Sequence, residues 1–223
     1  SYCNHAGNSI IAGNYNEANT VIRKADELRD SLSIPFPSIY KIENNRLLLE
    51  YLTKEHKAKN EKDYKTISLE MVNKFENLLS KQGEEISHVV DLNCLSLKFM
   101  AGTVDIVSIF DLLDESSEDA YYCYFLHDLL LAHFIISKDR ERAKDELRIL
   151  NDIDVPLLKG ERYLLKVRNK IQRSIIEKIE TIELNPYRYH QMIAKGCVHV
   201  QDPSCYFWGR GFLLSDLQYL SFN

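Results

Sequence analysis

The segment Gly13-Asn14-Tyr15-Asn16-Glu17-Ala18, followed by Ile22 and Ala25, is the most informative part of this chain for its fold. Its small and aromatic residues occur where two antiparallel helices joined by a short turn must pack closely. The stretch therefore predicts the turn and the second helix of a helical repeat unit, and not an active site. A chain built from such units usually works by presenting a surface to a partner.

The composition is that of an ordinary globular protein. The chain has 223 residues, of which 45% are hydrophobic and 27% are charged. Its 8 glycines and 5 prolines suit long helices with short connections, and its net charge of -5 argues against a primary role in nucleic-acid binding. The longest apolar stretch, 120–136, is interrupted by His127, Asp128 and His133, so it predicts a buried helix and not a membrane span.

The cysteines indicate a reducing compartment. Their odd number and wide spacing predict free thiols, packed among apolar neighbours at Cys94 and Cys123. We therefore expect a cytoplasmic protein. Since a helical pattern begins close to Ser1, we also expect the chain to be part of a longer protein. The five cysteines are Cys3, Cys94, Cys123, Cys197 and Cys205.

Apolar residues recur every three or four positions along most of the chain, which is the pattern of helices with one buried face. Strand-like alternation is confined to the short stretch 197–201. We therefore predict an all-α protein. About nine helices are expected, at residues 1–12, 16–31, 39–58, 64–81, 86–100, 104–114, 119–136, 140–150 and 160–183.

Several positions are predicted to begin helices, because their side chains can accept hydrogen bonds from free backbone N–H groups. Asp63, Thr103 and the run 116–119 are expected to cap the starts of three helices. Residues 137–139 predict a tight turn between two more. Asn185 followed by proline predicts an N-cap and a first helical residue.

The first unit resembles the tetratricopeptide repeat, a helix pair with a period of about 34 residues. The match extends over about 28 residues and ends at Asp30, where the family usually has proline. Small residues at the matching positions let the two helices approach closely. The matching positions are Tyr2, Ala6, Gly13, Tyr15, Ala18, Ile22 and Ala25.

Later units match less closely. Within 130–150, Ala143 and Leu147 fit the second helix, whereas Lys138 and Arg140 replace the glycine and tyrosine of the turn. Other units keep only the rhythm of helix, turn and helix. The resemblance implies antiparallel helix pairs stacked as a right-handed superhelix over residues 1–184. Residues 185–223 would form an irregular, aromatic-rich C-terminal capping segment.

Irregular repeats of this kind are similar to the C-terminal sensing region of bacterial STAND-type signalling ATPases. They are also similar to the peptide-pheromone receptors of Gram-positive bacteria and their phages. The sequence has no phosphate-binding loop, nucleophile elbow or His-Glu-x-x-His motif. We therefore predict a non-enzymatic module without a cofactor that binds a protein or peptide. It would be the sensing or scaffold part of a larger bacterial regulatory or defence protein.

The predicted binding surface is a concave groove formed by the first helices of successive pairs. Polar side chains on those helices would bind a ligand through shape and hydrogen bonds. The groove candidates are Asn4, Asn8, Asn44, Arg46, Glu50, Asn93 and Lys98.

A second candidate surface lies in the C-terminal segment, which contains the residue types that dominate binding hot spots. We favour the alternative that these aromatic residues close the repeat array as a cap. The members of this C-terminal patch are Tyr187, Arg188, Tyr189, Trp208 and Arg210.

Two further hypotheses belong to other classes of function. A helical metal-binding or hydrolase domain would use two histidines and two cysteines as zinc ligands. Their spacings match no common zinc finger, so we favour packing within the cap. An oligomerisation module is the other alternative. The candidate zinc ligands are His190, Cys197, His199 and Cys205.

Overall fold

The computed structural model describes residues 2–32, 36–81, 88–115, 119–155 and 159–197. These ranges contain ten α-helices and no strand, which confirms the all-α class. The helices are α1 (Tyr2–Ile11), α2 (Tyr15–Leu32), α3 (Phe36–Glu55), α4 (Glu61–Leu79), α5 (His88–Ala101), α6 (Ile106–Glu115), α7 (Ala120–Ile136), α8 (Arg140–Asp152), α9 (Lys159–Glu177) and α10 (Pro186–Cys197).

The described helices form two compact units that divide after Ala101. Unit 1 contains α1 to α5, in which each helix packs against the next and α1 also packs against α3. Unit 2 contains α6 to α10, in which successive helices again pack together and α10 returns to α7. Helix α10, the described part of the predicted capping segment 185–223, therefore belongs to unit 2.

The first helical hairpin of unit 1, α1 and α2, forms at the stretch that predicts it. Ala18 is fully buried, and Ala6 and Ala25 are almost so, which lets the two helices approach closely. Tyr2, at the expected large aromatic position, is 43% exposed. The small residues thus account for the packing of this hairpin better than the aromatic residue does.

The turn between α1 and α2 is a Schellman motif, in which hydrogen bonds from beyond the helix end satisfy its last carbonyl groups. Gly13 N–H donates to the carbonyl of Ile10 at 3.0 Å, and Asn14 N–H donates to the carbonyl of Ser9 at 2.7 Å. Gly13 has φ +75°, a left-handed conformation that glycine adopts without steric cost.

The turn between α7 and α8 in unit 2 has the same hydrogen bonds. Lys138 N–H donates to the carbonyl of Ile135 at 3.2 Å, and Asp139 N–H donates to the carbonyl of Phe134 at 2.9 Å. Lys138 has φ +61°, so a lysine takes the conformation that Gly13 takes in unit 1. The sequence mismatch at this turn therefore does not change its backbone geometry.

Helix α7 is the centre of unit 2 and carries one buried charge. Asp128 is fully buried and accepts a hydrogen bond from Arg168 Nη2 on α9 at 2.7 Å. Gln172 Nε2, also on α9, donates to Asp128 Oδ1 at 2.7 Å and to Tyr189 Oη on α10 at 2.9 Å. This polar core links α7, α9 and α10, and burial raises the pKa of Tyr189, which stays neutral.

The predicted helix starts are partly confirmed. Asp119, the last residue of the predicted capping run 116–119, caps α7. The turn 137–139 precedes α8, and Asn185 Oδ1 accepts from Arg188 N–H at the start of α10. The predicted N-cap Asp63 is wrong by three residues, and the predicted N-cap Thr103 is wrong by two. In place of Asp63, the side chain of Asn60 accepts from the N–H of residue 63.

The other corrections concern helix ends. For α6, the Asp105 carboxylate accepts from Val107 N–H, and Thr103 lies before this cap. Helix α9 ends at Glu177 and not at residue 183, because residues 178–181 form turns. The predicted total of about nine helices omits α10, although its first residues were correctly expected to start a helix. Of the strand-like stretch 197–201, only Cys197 is described, and it ends α10.

Candidate binding grooves

Unit 1 has an open groove between α2 and α3 whose volume is in the range typical of ligand pockets. We call it the α2/α3 groove; its own volume is about 570 Å³. The lining residues are Tyr15, Asn16, Asn19, Ile22, Arg46, Leu49, Glu50, Thr53, Lys54 and Lys57.

The neutral side chains of the α2/α3 groove combine amides with an apolar floor. Asn16 and Asn19 are exposed and lie three residues apart, so they occupy one face of α2. Each amide can both donate and accept hydrogen bonds. Ile22 and Leu49 are buried and form the floor. The groove can therefore contact both polar backbone and apolar side chains of a ligand.

One wall of the groove is Arg46, whose guanidinium is held by carboxylates of two helices. Its Nη2 lies 2.6 Å from Asp26 Oδ1, and its Nε lies 3.2 Å from Glu43 Oε2. Partial burial opposes the charge, but these carboxylates outweigh it and raise the pKa of Arg46. Arg46 therefore keeps its charge and a defined position.

Glu50 and Lys54 belong to a four-member ion-pair cycle with two residues of α4. Glu50 Oε1 lies 2.7 Å from Lys54 Nζ, and both residues pair across to α4 with Lys74 and Glu70. Partial burial opposes ionisation of Glu50, but its hydrogen bonds to the two lysines lower its pKa. Lys57, by contrast, is exposed and forms no ion pair with a described residue. Its ammonium group is available to a ligand carboxylate.

Unit 2 has a groove at the equivalent place, between α8 and α9, with a volume of about 480 Å³. It lies between the second helix of the α7/α8 hairpin and the next helix. The α2/α3 groove likewise lies between the second helix of the α1/α2 hairpin and the next helix. We call the groove of unit 2 the α8/α9 groove. Its lining residues are Arg140, Lys144, Leu147, Arg148, Asn151, Asp152, Arg173, Ile176 and Glu177.

The α8/α9 groove is cationic where the α2/α3 groove is amide-rich. Arg140 lies two residues after Lys138 in the turn, as Tyr15 lies two residues after Gly13. Lys144 and Asn19 each lie six residues after those same turn residues. Among the described residues, no carboxylate lies within ion-pair distance of Arg140 or Arg173. These two guanidinium groups are therefore available to an anion.

The predicted groove residues are only partly brought together. Arg46 and Glu50 line the α2/α3 groove. Asn44 and Asn93 are fully buried, and Asn93 Nδ2 donates to Asn44 Oδ1 at 2.9 Å. The prediction that these two asparagines face a groove is therefore wrong. Their amides pair with each other inside unit 1, because a buried amide needs a hydrogen-bond partner.

The remaining groove candidates lie apart from one another. Asn4 is half-buried and Asn8 is exposed, both on α1. Lys98 is half-buried on α5, where its Nζ lies 2.8 Å from Glu76 Oε1. None of these three lines the α2/α3 groove. Their predicted role in binding stays a prediction.

The C-terminal patch is described in part. Tyr187 is half-buried and Arg188 is exposed. Tyr189 is fully buried, so its predicted place on a binding surface is wrong. Its hydroxyl accepts from Gln172 within the polar core of unit 2. Trp208 and Arg210 lie outside the described residues.

The candidate zinc ligands are also described in part. His190 is buried on α10, and Cys197 ends that helix, whereas His199 and Cys205 lie outside the described residues. The described part of the chain contains no group of three or more possible metal ligands. Cys3, Cys94 and Cys123 are free thiols, and burial raises the pKa of Cys94 to about 12.

Comparisons with protein-family models, with curated protein sequences and with solved structures gave no significant match. Of the described helices, none combines the length and the apolar character that crossing a bilayer requires.

Sequence reasoning missed the residues that give each groove its chemistry. In the α2/α3 groove these are Asn16, Asn19 and Lys57, which lie on a second helix and in a connection, and not on first helices. In the α8/α9 groove, three cations recur every four residues, which places them on one face of a helix. The sequence could therefore have predicted this cationic face, which consists of Arg140, Lys144 and Arg148. The contribution of α9 to that groove depends on tertiary packing.

Proposed function

We propose that the chain is a non-enzymatic helical-repeat module that binds a peptide, or a peptide segment of a protein, in the α2/α3 groove. The observation that carries this proposal is the combination of exposed amides and a free ammonium group above an apolar floor. Asn16 and Asn19 supply the amides, and Lys57 supplies the ammonium group. The other charged groups of the groove are already held by protein partners.

A peptide suits this chemistry better than a purely apolar or purely ionic ligand. Its backbone presents N–H and C=O groups in alternation, and an asparagine amide can satisfy one of each. Lys57 can pair with an acidic side chain or a terminal carboxylate. Side chains of the peptide can contact Ile22, Leu49 and the ring of Tyr15, which packs beside His56 at a centroid distance of 5.9 Å.

Stacking of the first helices supports a superhelix like that of the tetratricopeptide repeat in unit 1. Asn45 Nδ2 on α3 donates to the carbonyl of Cys3 on α1 at 3.1 Å. The Asn44–Asn93 pair links α3 to α5 in the same way. First helices that contact one another directly are a feature of stacked helix pairs. The wider role, as the sensing or scaffold part of a larger bacterial regulatory or defence protein, is proposed from the resemblance in sequence.

Selection from a random peptide library on the purified chain tests the proposal. We expect the selection to yield peptides that bind the wild type. Their affinity for the Asn16→Ala/Asn19→Ala variant should be at least about tenfold lower, because two hydrogen-bonding groups are removed. The matched control is Asn73→Ala/Asn77→Ala, which removes two exposed amides of α4 outside the groove.

Affinity would be measured by fluorescence anisotropy with labelled copies of the selected peptides. The control variant should bind them as the wild type does. Equal affinity for the wild type and the Asn16→Ala/Asn19→Ala variant would contradict the proposed site. Selection of no binding peptide at all would contradict peptide binding itself.

A further inference from the structure

The α8/α9 groove of unit 2 offers unpaired positive charge over a buried apolar floor. Arg140 and Arg173 are free of carboxylate partners among the described residues, and Leu147 and Ile176 form the floor. Lys144 Nζ lies 2.8 Å from Glu141 Oε1, and Arg148 lies 3.6 Å from Asp145, both exposed pairs that contribute little. An occupant of this groove should therefore carry carboxylates beside apolar side chains.

Helix α6 has those properties on one exposed face. Val107 is 66% exposed and Phe110 is 43% exposed, which is unusual for large apolar side chains on a helix. Asp111 and Asp114 are also exposed. The spacings from Val107 through Phe110 to these two residues are three, one and three, which places all four side chains in one stripe along α6. Within the described residues, no cation pairs with either carboxylate.

The dimensions of helix and groove agree. Asp111 and Glu115 are four residues apart, about 6 Å along the helix axis, which equals the spacing of Lys144 and Arg148 on α8. Helix α6 has 10 residues and α8 has 13, so their lengths are about 15 and 20 Å. The ring of Phe110 can also lie against an arginine guanidinium, a favourable contact.

We propose that the α8/α9 groove binds the exposed face of α6 from a second copy of this chain. The two surfaces are different patches of one molecule, so the contact is heterologous, and a dimer keeps one free groove and one free α6. Copies therefore associate head to tail. This self-association goes beyond the proposed peptide binding, and it uses no residue of the α2/α3 groove.

A nucleic-acid strand is the main competing occupant of a cationic groove. Asp152 and Glu177 line the same groove and can accept hydrogen bonds from donor groups of another protein, whereas a phosphate backbone has no such donors. The net charge of -5 also opposes nucleic-acid binding. The groove therefore favours a protein surface over a nucleic-acid strand.

Light scattering of the full chain, coupled to size-exclusion chromatography, tests the proposal with two charge-reversed variants. Arg140→Glu/Arg173→Glu changes the groove, and Asp111→Lys/Asp114→Lys changes α6. We expect the molar mass of the wild type to rise with concentration. Each variant alone should stay monomeric, with its association weakened at least about tenfold.

Mixing the two variants gives the decisive result. The groove variant keeps an intact α6, and the α6 variant keeps an intact groove. The two reversed surfaces are also opposite in charge, so an equimolar mixture should recover association with the two variants alternating. The control Lys62→Glu/Lys65→Glu makes the same change in net charge as the groove variant at exposed positions of α4 and should associate as the wild type does. Circular dichroism would show that all variants keep their helix content.

Three results would overturn the proposal: a wild type that is monomeric even at millimolar concentration, a groove variant that associates like the wild type, or a variant mixture that stays monomeric. A single-stranded DNA oligonucleotide provides a fourth test. The proposal is wrong if the oligonucleotide binds the wild type but not the groove variant, and no self-association of the chain is found with which it competes. Nucleic acid would then be the occupant.

Discussion

The α1/α2 hairpin of unit 1 and the α7/α8 hairpin of unit 2 have the same turn built from different residues. Gly13 and Lys138 both have positive φ, and both turns form the same pair of Schellman hydrogen bonds. Ala18 and Ala143 each follow five residues later and are fully buried. The small buried residue and the turn hydrogen bonds therefore define this hairpin, and the glycine is replaceable.

The grooves that follow the two hairpins differ far more than the hairpins do. One offers the amides of Asn16 and Asn19, and the other offers the guanidinium groups of Arg140 and Arg173. Exposed positions contribute little to folding, so their chemistry can change while the backbone stays the same. We infer that the two units are alike in local architecture and bind different ligands.

The polar cores of the two units differ as well. Unit 1 pairs two neutral amides, Asn44 and Asn93, whereas unit 2 pairs the charges of Asp128 and Arg168. A buried charge that loses its partner costs more than a buried amide that does. The two units should therefore respond differently when one partner is removed.

Asp128→Asn should have the largest effect. It leaves the Arg168 guanidinium buried without its counter-charge and should lower the free energy of unfolding by about 3–5 kcal/mol. Urea denaturation monitored by circular dichroism measures the change. The double variant Asp128→Leu/Arg168→Met removes both charges, and its stability should return close to that of the wild type. A double variant as unstable as the single one would contradict this explanation.

Asn93→Ala should have a smaller effect in unit 1. It leaves the Asn44 amide without its partner and should lower the free energy of unfolding by about 1–3 kcal/mol. The same urea titration measures it, with Asn73→Ala on the exposed surface of α4 as the control. A loss equal to that of Asp128→Asn would mean that charge does not distinguish the two polar cores.

The two turns should respond in opposite directions to exchange of their residues. Gly13→Ala puts a Cβ at positive φ, where no atom obstructs it, and should cost about 1 kcal/mol from backbone strain alone. Lys138→Gly removes that strain and should stabilise unit 2 by up to about 1 kcal/mol. Thermal unfolding of both variants measures the changes. A destabilised Lys138→Gly variant would show that its side chain, whose Nζ lies 2.9 Å from Glu183, outweighs the strain.

The smallest effect concerns the ion-pair cycle of unit 1 and its dependence on pH. Hydrogen bonds to Lys54 and Lys74 lower the pKa of Glu50 and of Glu70. Each contributes stability that is present above the unfolded pKa, about 4.3, and is lost as pH falls through the lower folded pKa. Glu50→Gln/Glu70→Gln should therefore reduce the acid sensitivity of unfolding below about pH 4.3. An unchanged pH profile would mean that the cycle does not contribute.

Local patterns in the sequence predicted the elements of this fold well. Periodic apolar residues located the main helices, and Gly13 with Ala18 located the first hairpin. The turn at Lys138 was predicted as tight but as a departure from the repeat. Its likeness to the first turn depends on backbone hydrogen bonds that a mismatch in residue type does not reveal.

The grooves were harder to predict because burial depends on distant partners. Asn44 and Asn93 were expected on a surface, yet they bond to each other across 49 residues of sequence. Arg46 and Glu50, two of the groove candidates, line a cleft that lies between α2 and α3 and not along the first helices alone. Helical period shows which residues share a face, and only packing shows what covers that face.

Hydrogen–deuterium exchange of the full chain with a selected peptide tests where on the molecule the peptide binds. Peptide binding in the α2/α3 groove should slow amide exchange around Asn16 and Asn19 in the first turns of α2, and from the second half of α3 to Lys57 beyond its end. The α8/α9 groove should exchange as in the free protein. Protection confined to α8 and α9, or absent from α2 and α3, would contradict the account.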